Sequence, residues 1–318
     1  STYIATKKPK NKLVKIKAGF VAAGFVEADY IDYFWGQIDD WNITAKDEIV
    51  INVKDFSKEW DVDVPEAVSG QPLPTIVWGT AALNHPVDVM IDILKNHINA
   101  RDSKIVGSSF GTVKAALPGW SVKRTLKEDT VSGKDLMEEL RKLTSTYFIP
   151  QPNGRIKIKK WDADEASIAT LTDMEFIGKN WNSSSKILTN RIVHYYGWDG
   201  EGDEATDYGA VKIGLDTTSQ SDWDETASLE VKDKWTPITQ IAQSTDFLDK
   251  IAKRYANPPS ALSVEVDLKY IYLEVGDLVT VSTVRAPSTD MAGISNIKFQ
   301  ITNKNLDFSK SKVSLSLL

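Results

Sequence analysis

The sequence ALSVEVDLKYIYLEVGDLVTVST, residues Ala261–Thr283, is followed after a loop by ISNIKFQITNKNLDFSKSKVSLSLL, residues Ile294–Leu318. Apolar and polar residues alternate through both stretches, which is the pattern of strands with one buried face. The segment Glu274-Val275-Gly276-Asp277 interrupts the alternation and predicts a turn, in which Gly276 supplies backbone freedom rather than a ligand contact. These residues therefore predict an antiparallel sheet of amphipathic strands.

Composition bounds the class of protein. The chain has 318 residues, enough for two or three domains, and its 42% hydrophobic and 26% charged residues are typical of a soluble globular protein. No apolar run approaches the roughly 18–20 residues that span a bilayer. The absence of cysteine excludes disulfides, thiolate nucleophiles and sulfur-ligated metals, and it suits assembly in a reducing cytoplasm.

Charge is unevenly distributed along the sequence. The net charge of −6 and the pI near 5.3 argue against a general nucleic-acid binder, which would carry a basic surface. Residues Asp199 to Asp207 are strongly acidic, whereas the first residues are strongly basic. The basic residues are Lys7, Lys8, Lys10, Lys12, Lys15 and Lys17. They are interpreted either as a solvated tail or as an arm that contacts nucleic acid or an acidic neighbouring subunit.

The first organised region, residues 1–64, reads as strands. Leu13–Ala18 and Glu48–Asp55 alternate between apolar and polar residues, and Tyr30–Ile38 is a dense aromatic run. We expect these stretches to form the first segment of a small antiparallel barrel.

Helices and a hairpin are predicted next, within residues 65–180. Gln71–Pro74 reads as a linker, and Pro86 opens a helix with apolar residues at helical spacing. A second helix follows Ser132-Gly133. Asn153-Gly154 between two alternating strands is a strong hairpin signal. The apolar residues of the two helices are Val87, Met90, Ile91, Leu94 and Ile98, then Leu136, Leu140 and Leu143.

Strands and one helix are predicted for residues 181–260, before the final strands in residues 261–318. Ile187–Tyr196 reads as a strand, Asp199–Tyr208 as an acidic loop and Ala210–Gly214 as a short strand. Thr236–Ala256 reads as a helix that Asn257-Pro258-Pro259 ends. Its expected apolar set is Ile238, Ile241, Phe247, Leu248 and Ile251.

No motif predicts catalytic, cofactor-binding or metal-ligating residues. The acidic loop has oxygen ligands at alternating positions, but Glu204 and Ala210 occupy the places where an EF-hand needs glycine and glutamate. The histidines His85, His97 and His194 lack partners at ligand spacing. A G-x-S-x-G elbow is absent, although a Ser/His/Asp triad is recognised by geometry and stays open. Gly107–Gly111 lacks the end of a phosphate-binding loop and is interpreted as a mobile loop.

A glycan-active protein is the alternative from another functional class. Carboxylate pairs such as Asp39-Asp40 and Asp222/Asp224 are compatible with a glycosidase, and sugars stack on indole rings. However, the ten tryptophans are spread through every region, as expected for side chains that anchor cores and interfaces.

Taken in order, these segments resemble the tail hub (baseplate hub or tail tip) proteins of phages and prophages. The resemblance rests on the strand series of Lys12–Phe56, the helix and Asn-Gly hairpin, the phrase ILTNRIVHYYG at Ile187–Gly197, and the ending from Ala261 to Leu318. It implies a β-rich α+β fold, in which small antiparallel tube-like β-barrel domains carry an inserted helix-hairpin α+β domain.

The same resemblance implies a structural virion component rather than an enzyme, with no cofactor and no metal. It implies a homotrimer in the virion tail, assembled in the host cytoplasm, with tail tube or distal tail proteins and tip or spike proteins as partners. DNA would pass through its channel without specific binding, along an acidic or neutral lining. We expect the trimer interface near Tyr30–Ile38 and Ile187–Tyr196, which carry more aromatic residues than one inner face needs. A phage, a prophage, a phage-derived injection machine and a gene transfer particle all remain open as its source.

Overall fold

The fold is known from a computed structural model. The structure describes residues 10–19, 24, 26–43, 49–67, 69, 71–127, 130–162, 164–183, 188–256, 260–284 and 293–318. Among the predicted features, Lys7, Lys8, Glu48, Ile187 and Asn257-Pro258-Pro259 lie outside the described residues.

Strands are the main regular structure and make up about 41% of the described residues. The strands are β1 Leu13–Ala18, β2 Ile31–Ile43, β3 Ile49–Lys54, β4 Asp63–Val64, β5 Ile76–Trp78, β6 Arg124–Leu126, β7 Val131–Ser132, β8 Thr146–Pro150, β9 Ile156–Lys160, β10 Ala169–Thr172, β11 Phe176–Ser183, β12 Arg191–Trp198, β13 Tyr208–Leu215, β14 Ser228–Lys232, β15 Ser260–Asp267, β16 Leu278–Thr283, β17 Ile294–Asp307 and β18 Lys312–Leu317. The helices are α1 Pro86–Asp92, α2 Gly107–Ala115, α3 Gly133–Thr144, α4 Thr217–Trp223 and α5 Ile241–Tyr255.

The chain divides into two compact units. The first comprises Ser1–Gly119, Thr125–Lys142 and Phe148–Lys159. The second comprises Trp120–Arg124, Leu143–Tyr147 and Lys160–Leu318. The predicted domain limits at residues 64, 180 and 260 stay a prediction.

In the first unit, β1, β2 and β3 form an antiparallel three-stranded sheet in chain order. The strands predicted from the alternating residues of this region are therefore confirmed, and β2 extends beyond Ile38 to Ile43. Only Gly36 and Ile38 are buried among the described side chains of this sheet. The sheet thus has little core of its own.

The helices of the first unit carry its core. Pro86 begins α1 as predicted, and the chain continues past Asp92 as one π-helical turn, Ile93–His97. Val87, Met90 and Leu94 have no exposed surface. In α3 the predicted face is also buried, and Glu138 and Lys142, one helical turn apart, lie 3.8 Å from each other.

The predicted hairpin is formed by β8 and β9. Gly154 in its turn has φ +74°, which a residue with a side chain rarely adopts. A Cβ there would also lie 2.7 Å from Cε3 of Trp35. Asn-Gly is thus required both by the turn and by the close approach of the Trp35 ring.

The prediction of a mobile loop at Gly107–Gly111 is wrong, because these residues form the first part of α2. Phe110 and Val113 lie one helical turn apart and are buried. Ser109 Oγ donates a hydrogen bond to the Val106 carbonyl and accepts one from the Ile158 amide, at 2.8 and 3.1 Å. Burial of Phe110 and these hydrogen bonds outweigh the low helix propensity of glycine.

In the second unit, the C-terminal strands form a curled sheet with the order β10-β16-β17-β18-β15-β11. The antiparallel pairing predicted from the ending is confirmed for β16 to β18. The parallel pairing of β10 with β16 was not predicted. One face carries the core, whose members include Val264, Phe299, Ile301, Val313 and Leu315. Because β10 and β11 stand at its ends, this sheet is a half-barrel.

The turn at Glu274–Asp277 is also confirmed. Gly276 has φ +91°, and the Asp277 carboxylate accepts a hydrogen bond from the Glu274 amide at 2.8 Å. The Asp277 side chain therefore holds the turn that precedes β16.

A second sheet of this unit has the order β13-β12-β14. The predicted strand Ile187–Tyr196 begins later, at Arg191, and ends at Trp198. The predicted short strand Ala210–Gly214 is longer, since β13 runs from Tyr208 to Leu215. Helix α5 covers one face: a Cβ on Gly214 would lie 3.4 Å from Leu248 Cβ.

The predicted start of the helix at Thr236 is wrong, because α5 begins at Ile241. The Asp233 carboxylate accepts hydrogen bonds from the amides of Trp235 and Thr236, and the Gln240 amide donates to the Pro237 carbonyl. These bonds hold a turn ahead of the helix. Ile238 and Ile241 are consequently exposed, whereas Phe247 and Leu248 are buried as expected.

Candidate interaction surfaces

The distal part of the β2–β3 hairpin, Asp40–Ile43 with Ile49–Asn52, has an apolar face, and we call this part the arm. Trp41 pairs with Ile51, and Ile43 pairs with Ile49. Directly paired residues share a face, and alternate residues of a strand do too, so these four side chains form one row. Ile43, Ile49 and Ile51 are 47%, 52% and 47% exposed. The arm therefore presents an apolar stripe without a core beneath it.

In the second unit, β13 carries another exposed apolar row. Val211, Ile213 and Leu215 are 53%, 50% and 59% exposed, and they alternate with residues that face α5. Lys212, for example, donates a hydrogen bond to Thr245 Oγ1 of that helix. Sequence reasoning predicted a strand here but missed this surface, although the alternation of Val211, Ile213 and Leu215 was the available signal.

The two stretches expected at a subunit interface differ in their surroundings. Trp35 of β2 lies beneath the Lys104 ammonium at 4.6 Å and against Gly154, so its ring packs inside the first unit. Strand β12 is the central strand of its sheet, and Ile192, Val193 and Tyr196 are buried. The exposed apolar side chains belong instead to the neighbouring elements, the arm and β13.

The face of the curled sheet opposite its core is polar, and it lines an open depression with a volume of about 410 Å³. Asn180, Ser263, Ser316 and Asn303 form one row across four strands. The next row is Gly178, Glu265, Ser314 and Asn305. Lys312 bonds the Glu265 carboxylate, so the charge in this face is paired within the sheet.

Burial brings together Ser244, His194 and Asp233, residue types that the sequence spacing had left open as a triad. His194 Nδ1 lies 2.8 Å from Ser244 Oγ, and Nε2 lies 3.1 Å from Asp233 Oδ2. The side chain of His194 has no exposed surface, and Ser244 and Asp233 are buried too. A substrate has no access to these groups. The arrangement is therefore a structural hydrogen-bond network that fastens α5 to β12.

The other two histidines contact neighbouring groups of the first unit and have structural roles there. His85 caps α1: its Nδ1 accepts from the Val87 amide at 3.2 Å, which leaves Nε2 to donate to the Leu117 carbonyl at 3.1 Å. Burial lowers the pKa of His85, since the charged ring would lose hydration. His97 lies 3.5 Å from Asp92.

The acidic segment Asp199–Asp207 is held by its own backbone and by lysine. Asp203 accepts from the Tyr208 hydroxyl at 2.8 Å and lies 3.4 Å from Lys234. Burial is the largest single effect on the Asp203 pKa and raises it. The hydrogen bond from Tyr208 and the nearby lysines together outweigh burial, so the pKa of Asp203 lies below its usual value. Within the described part of the chain, no group of three or more histidine, aspartate or glutamate side chains is placed to hold a metal ion.

Both carboxylate pairs considered for glycan chemistry adjoin a tryptophan in the sequence, Trp41 or Trp223, and Trp223 is 49% exposed. Asp39 binds Lys54 at 2.7 Å, and Asp40 accepts from the Trp41 amide at 2.8 Å. Trp60, Trp78 and Trp235 are core residues. In the described residues, no helix is long and apolar enough to cross a membrane.

Solved structures with a similar fold are phage and prophage tail proteins. The 43 kDa tail protein of prophage MuSo2 from Shewanella oneidensis is 13% identical, with 96% of this chain and 88% of that chain covered and a TM-score of 0.55. A tail protein from Neisseria meningitidis MC58 is 10% identical over 90% of this chain and 79% of that chain, with a TM-score of 0.56.

The prophage tail protein gp18 from Listeria monocytogenes EGD-e is 14% identical over 96% of this chain and 83% of that chain, with a TM-score of 0.50. No protein-family model and no curated protein matches the sequence. The chain thus shares its fold with phage tail proteins, at identities that show the fold alone.

Proposed function

We propose that the chain is a structural component of a phage or phage-derived tail. In this proposal it forms the central hub of the tail tip or baseplate, joins the tail tube to the tip and surrounds the DNA channel. The observation that carries the proposal is the fold shared with tail proteins over as much as 96% of the chain. The exposed apolar rows of the arm and of β13 agree with a part that works by association.

The proposed assembly is a homotrimer in the virion, with tube or distal tail proteins and tip or spike proteins as neighbours. Each chain contributes sheets from both units. When copies associate, the free edges of these sheets pair and close the sheets into tube-like barrels. Three copies would then present a ring of pseudo-sixfold symmetry to the tail tube.

DNA passage suits the polar face of the curled sheet. Its uncharged side chains are serine and asparagine, and the Glu265 carboxylate is paired with Lys312. Such a face attracts phosphates weakly, because affinity for the DNA backbone comes from unpaired lysine and arginine. We propose this face as the channel lining.

Electron microscopy of purified particles tests the location. A gold-labelled antibody against the chain is expected to mark the distal end of the tail, and deletion of the gene is expected to abolish complete tails. Label along the whole tube, or intact tails without the chain, would contradict the hub. Release of soluble fragments when the pure chain is incubated with cell-wall peptidoglycan would instead support the glycan-active alternative.

A further inference from the structure

Strand β13 is an edge strand, and no strand among the described residues pairs with its outer side. The Asp216 amide donates to the Asn190 carbonyl at 3.0 Å. Because inward and outward backbone groups alternate in an antiparallel pair, the N–H and C=O groups of Leu215, Ile213 and Val211 point away from β12. Those residues also carry the exposed apolar row.

Natural proteins protect such edges with lysine, proline, bulges or a covering element. The opposite edge of the same sheet follows this rule: β14 is shorter, and its exposed residues include Glu230 and Lys232. Strand β13 has eight residues, a regular register from Arg191↔Leu215 to Tyr196↔Ala210, and no proline. Its only lysine faces α5. Because one edge of this sheet is protected and the opposite edge, β13, is not, we expect β13 to receive another strand.

The arm offers a strand of matching character in the first unit. Strand β3 stands at the edge of the β1-β2-β3 sheet, and Ile49 and Ile51 supply apolar side chains at alternate positions. In length, the six residues of β3 fit within the eight of β13.

Charge at the strand ends favours one direction of pairing. The acidic segment Asp199–Asp207 immediately precedes β13. Lys54 ends β3 and is paired there with Asp39 at 2.7 Å. Lys12 lies at the same end of that sheet, since its carbonyl accepts from the Ile38 amide and Ile38 pairs with Val53. Bringing the Lys12 end of this sheet to the acidic start of β13 places opposite charges together and runs β3 and β13 antiparallel.

Symmetry then decides which copies meet. A closed threefold ring needs a heterologous contact, in which one patch of each copy binds a different patch of the next. We propose that β3 of one copy adds to the edge of β13 in the neighbouring copy, as an antiparallel strand with Ile51 beside Val211 or Ile213. This inference rests on the proposed trimer and deepens it by naming the surfaces that join its subunits.

Cysteine crosslinking tests the contact cleanly, because the chain contains no cysteine. Neighbouring strands place paired Cα atoms within the reach of a disulfide, about 4.4–6.8 Å. Ile51→Cys protein mixed with Val211→Cys or Ile213→Cys protein is expected to form disulfide dimers on mild oxidation. Each variant alone is expected to remain uncrosslinked. Crosslinking of Ile213→Cys protein with itself would instead show a twofold β13–β13 contact and overturn the proposal.

A charge placed on the edge gives a second, independent readout. Ile213→Lys is expected to weaken association at least tenfold by sedimentation, while thermal unfolding of the chain stays close to wild type. Trp223→Lys is the matched control, since Trp223 is 49% exposed on helix α4 rather than on a sheet edge and its replacement should leave association unchanged. A wild-type trimer with neither the mixed crosslink nor an Ile213→Lys effect overturns the pairing alone. A chain that remains monomeric at all concentrations overturns both the pairing and the proposed trimer.

Discussion

Single residues show where sequence patterns reach their limit. The apolar set of the predicted helix identified Phe247 and Leu248 as core residues, because the buried face of a helix is marked by apolar residues at helical spacing. It gave no reason to join His194 to Asp233 and Ser244, which are 39 and 50 residues away in sequence. Their hydrogen bonds depend on how α5 lies across β12. The spacing of apolar residues along the sequence does not determine how two such elements pack.

Asp233 should be the most sensitive member of this network. Asp233→Ala removes the partner of His194 Nε2 and of the Trp235 and Thr236 amides, and leaves buried donors unsatisfied. We expect a loss of about 3 kcal/mol in the free energy of unfolding, measured by urea denaturation. The control is Asp102→Ala, which breaks the exposed pair with Lys95 and should cost less than about 1 kcal/mol. Equal losses for the two variants would contradict the structural role of the network.

At the scale of elements, local signals predicted most strands and the strongest helices. Three predictions were correct because residues close together in the sequence determine the structure. They are the Asn153-Gly154 hairpin, the Pro86 helix and the Glu274–Asp277 turn. Helix α2 was missed because its glycines and serines have low helix propensity, and only packing of Phe110 and bonding of Ser109 stabilise it. The start of α5 was misplaced because the turn before it depends on the Asp233 side chain.

The N-cap of α1 predicts a dependence of stability on pH. Burial lowers the folded-state pKa of His85 below its ordinary value near 6.5, so the neutral ring stabilises the fold. This contribution is complete above that value and is lost as the pH falls through the folded-state pKa. His85→Asn keeps an acceptor for the Val87 amide but does not titrate. By urea denaturation, the free energy of unfolding of wild type should exceed that of His85→Asn by about 1 kcal/mol at pH 8, and this difference should narrow toward pH 5. A difference that does not change with pH would show that the neutral His85 ring is not the cause of the greater stability.

For the whole molecule, the structure shows a fold shared with phage tail proteins, and the role in a tail is our proposal from it. Sequence alone predicted the interface strands by aromatic content, and this criterion selected β12, whose side chains are mostly buried. Exposure can be judged only when sheet order is known, and that order turns attention to β13 and the arm. The closed barrels expected from the resemblance stay a prediction, since the C-terminal sheet of the described chain is a half-barrel that ends in two edges.

The mass of the assembled particle in solution tests the central claim most directly. Native mass spectrometry of the purified chain should find a species of about 106 kDa, three times the 35.4 kDa of one chain. The same threefold symmetry should appear in averaged images of the particle. A stable 35.4 kDa monomer across the accessible concentration range would contradict the account.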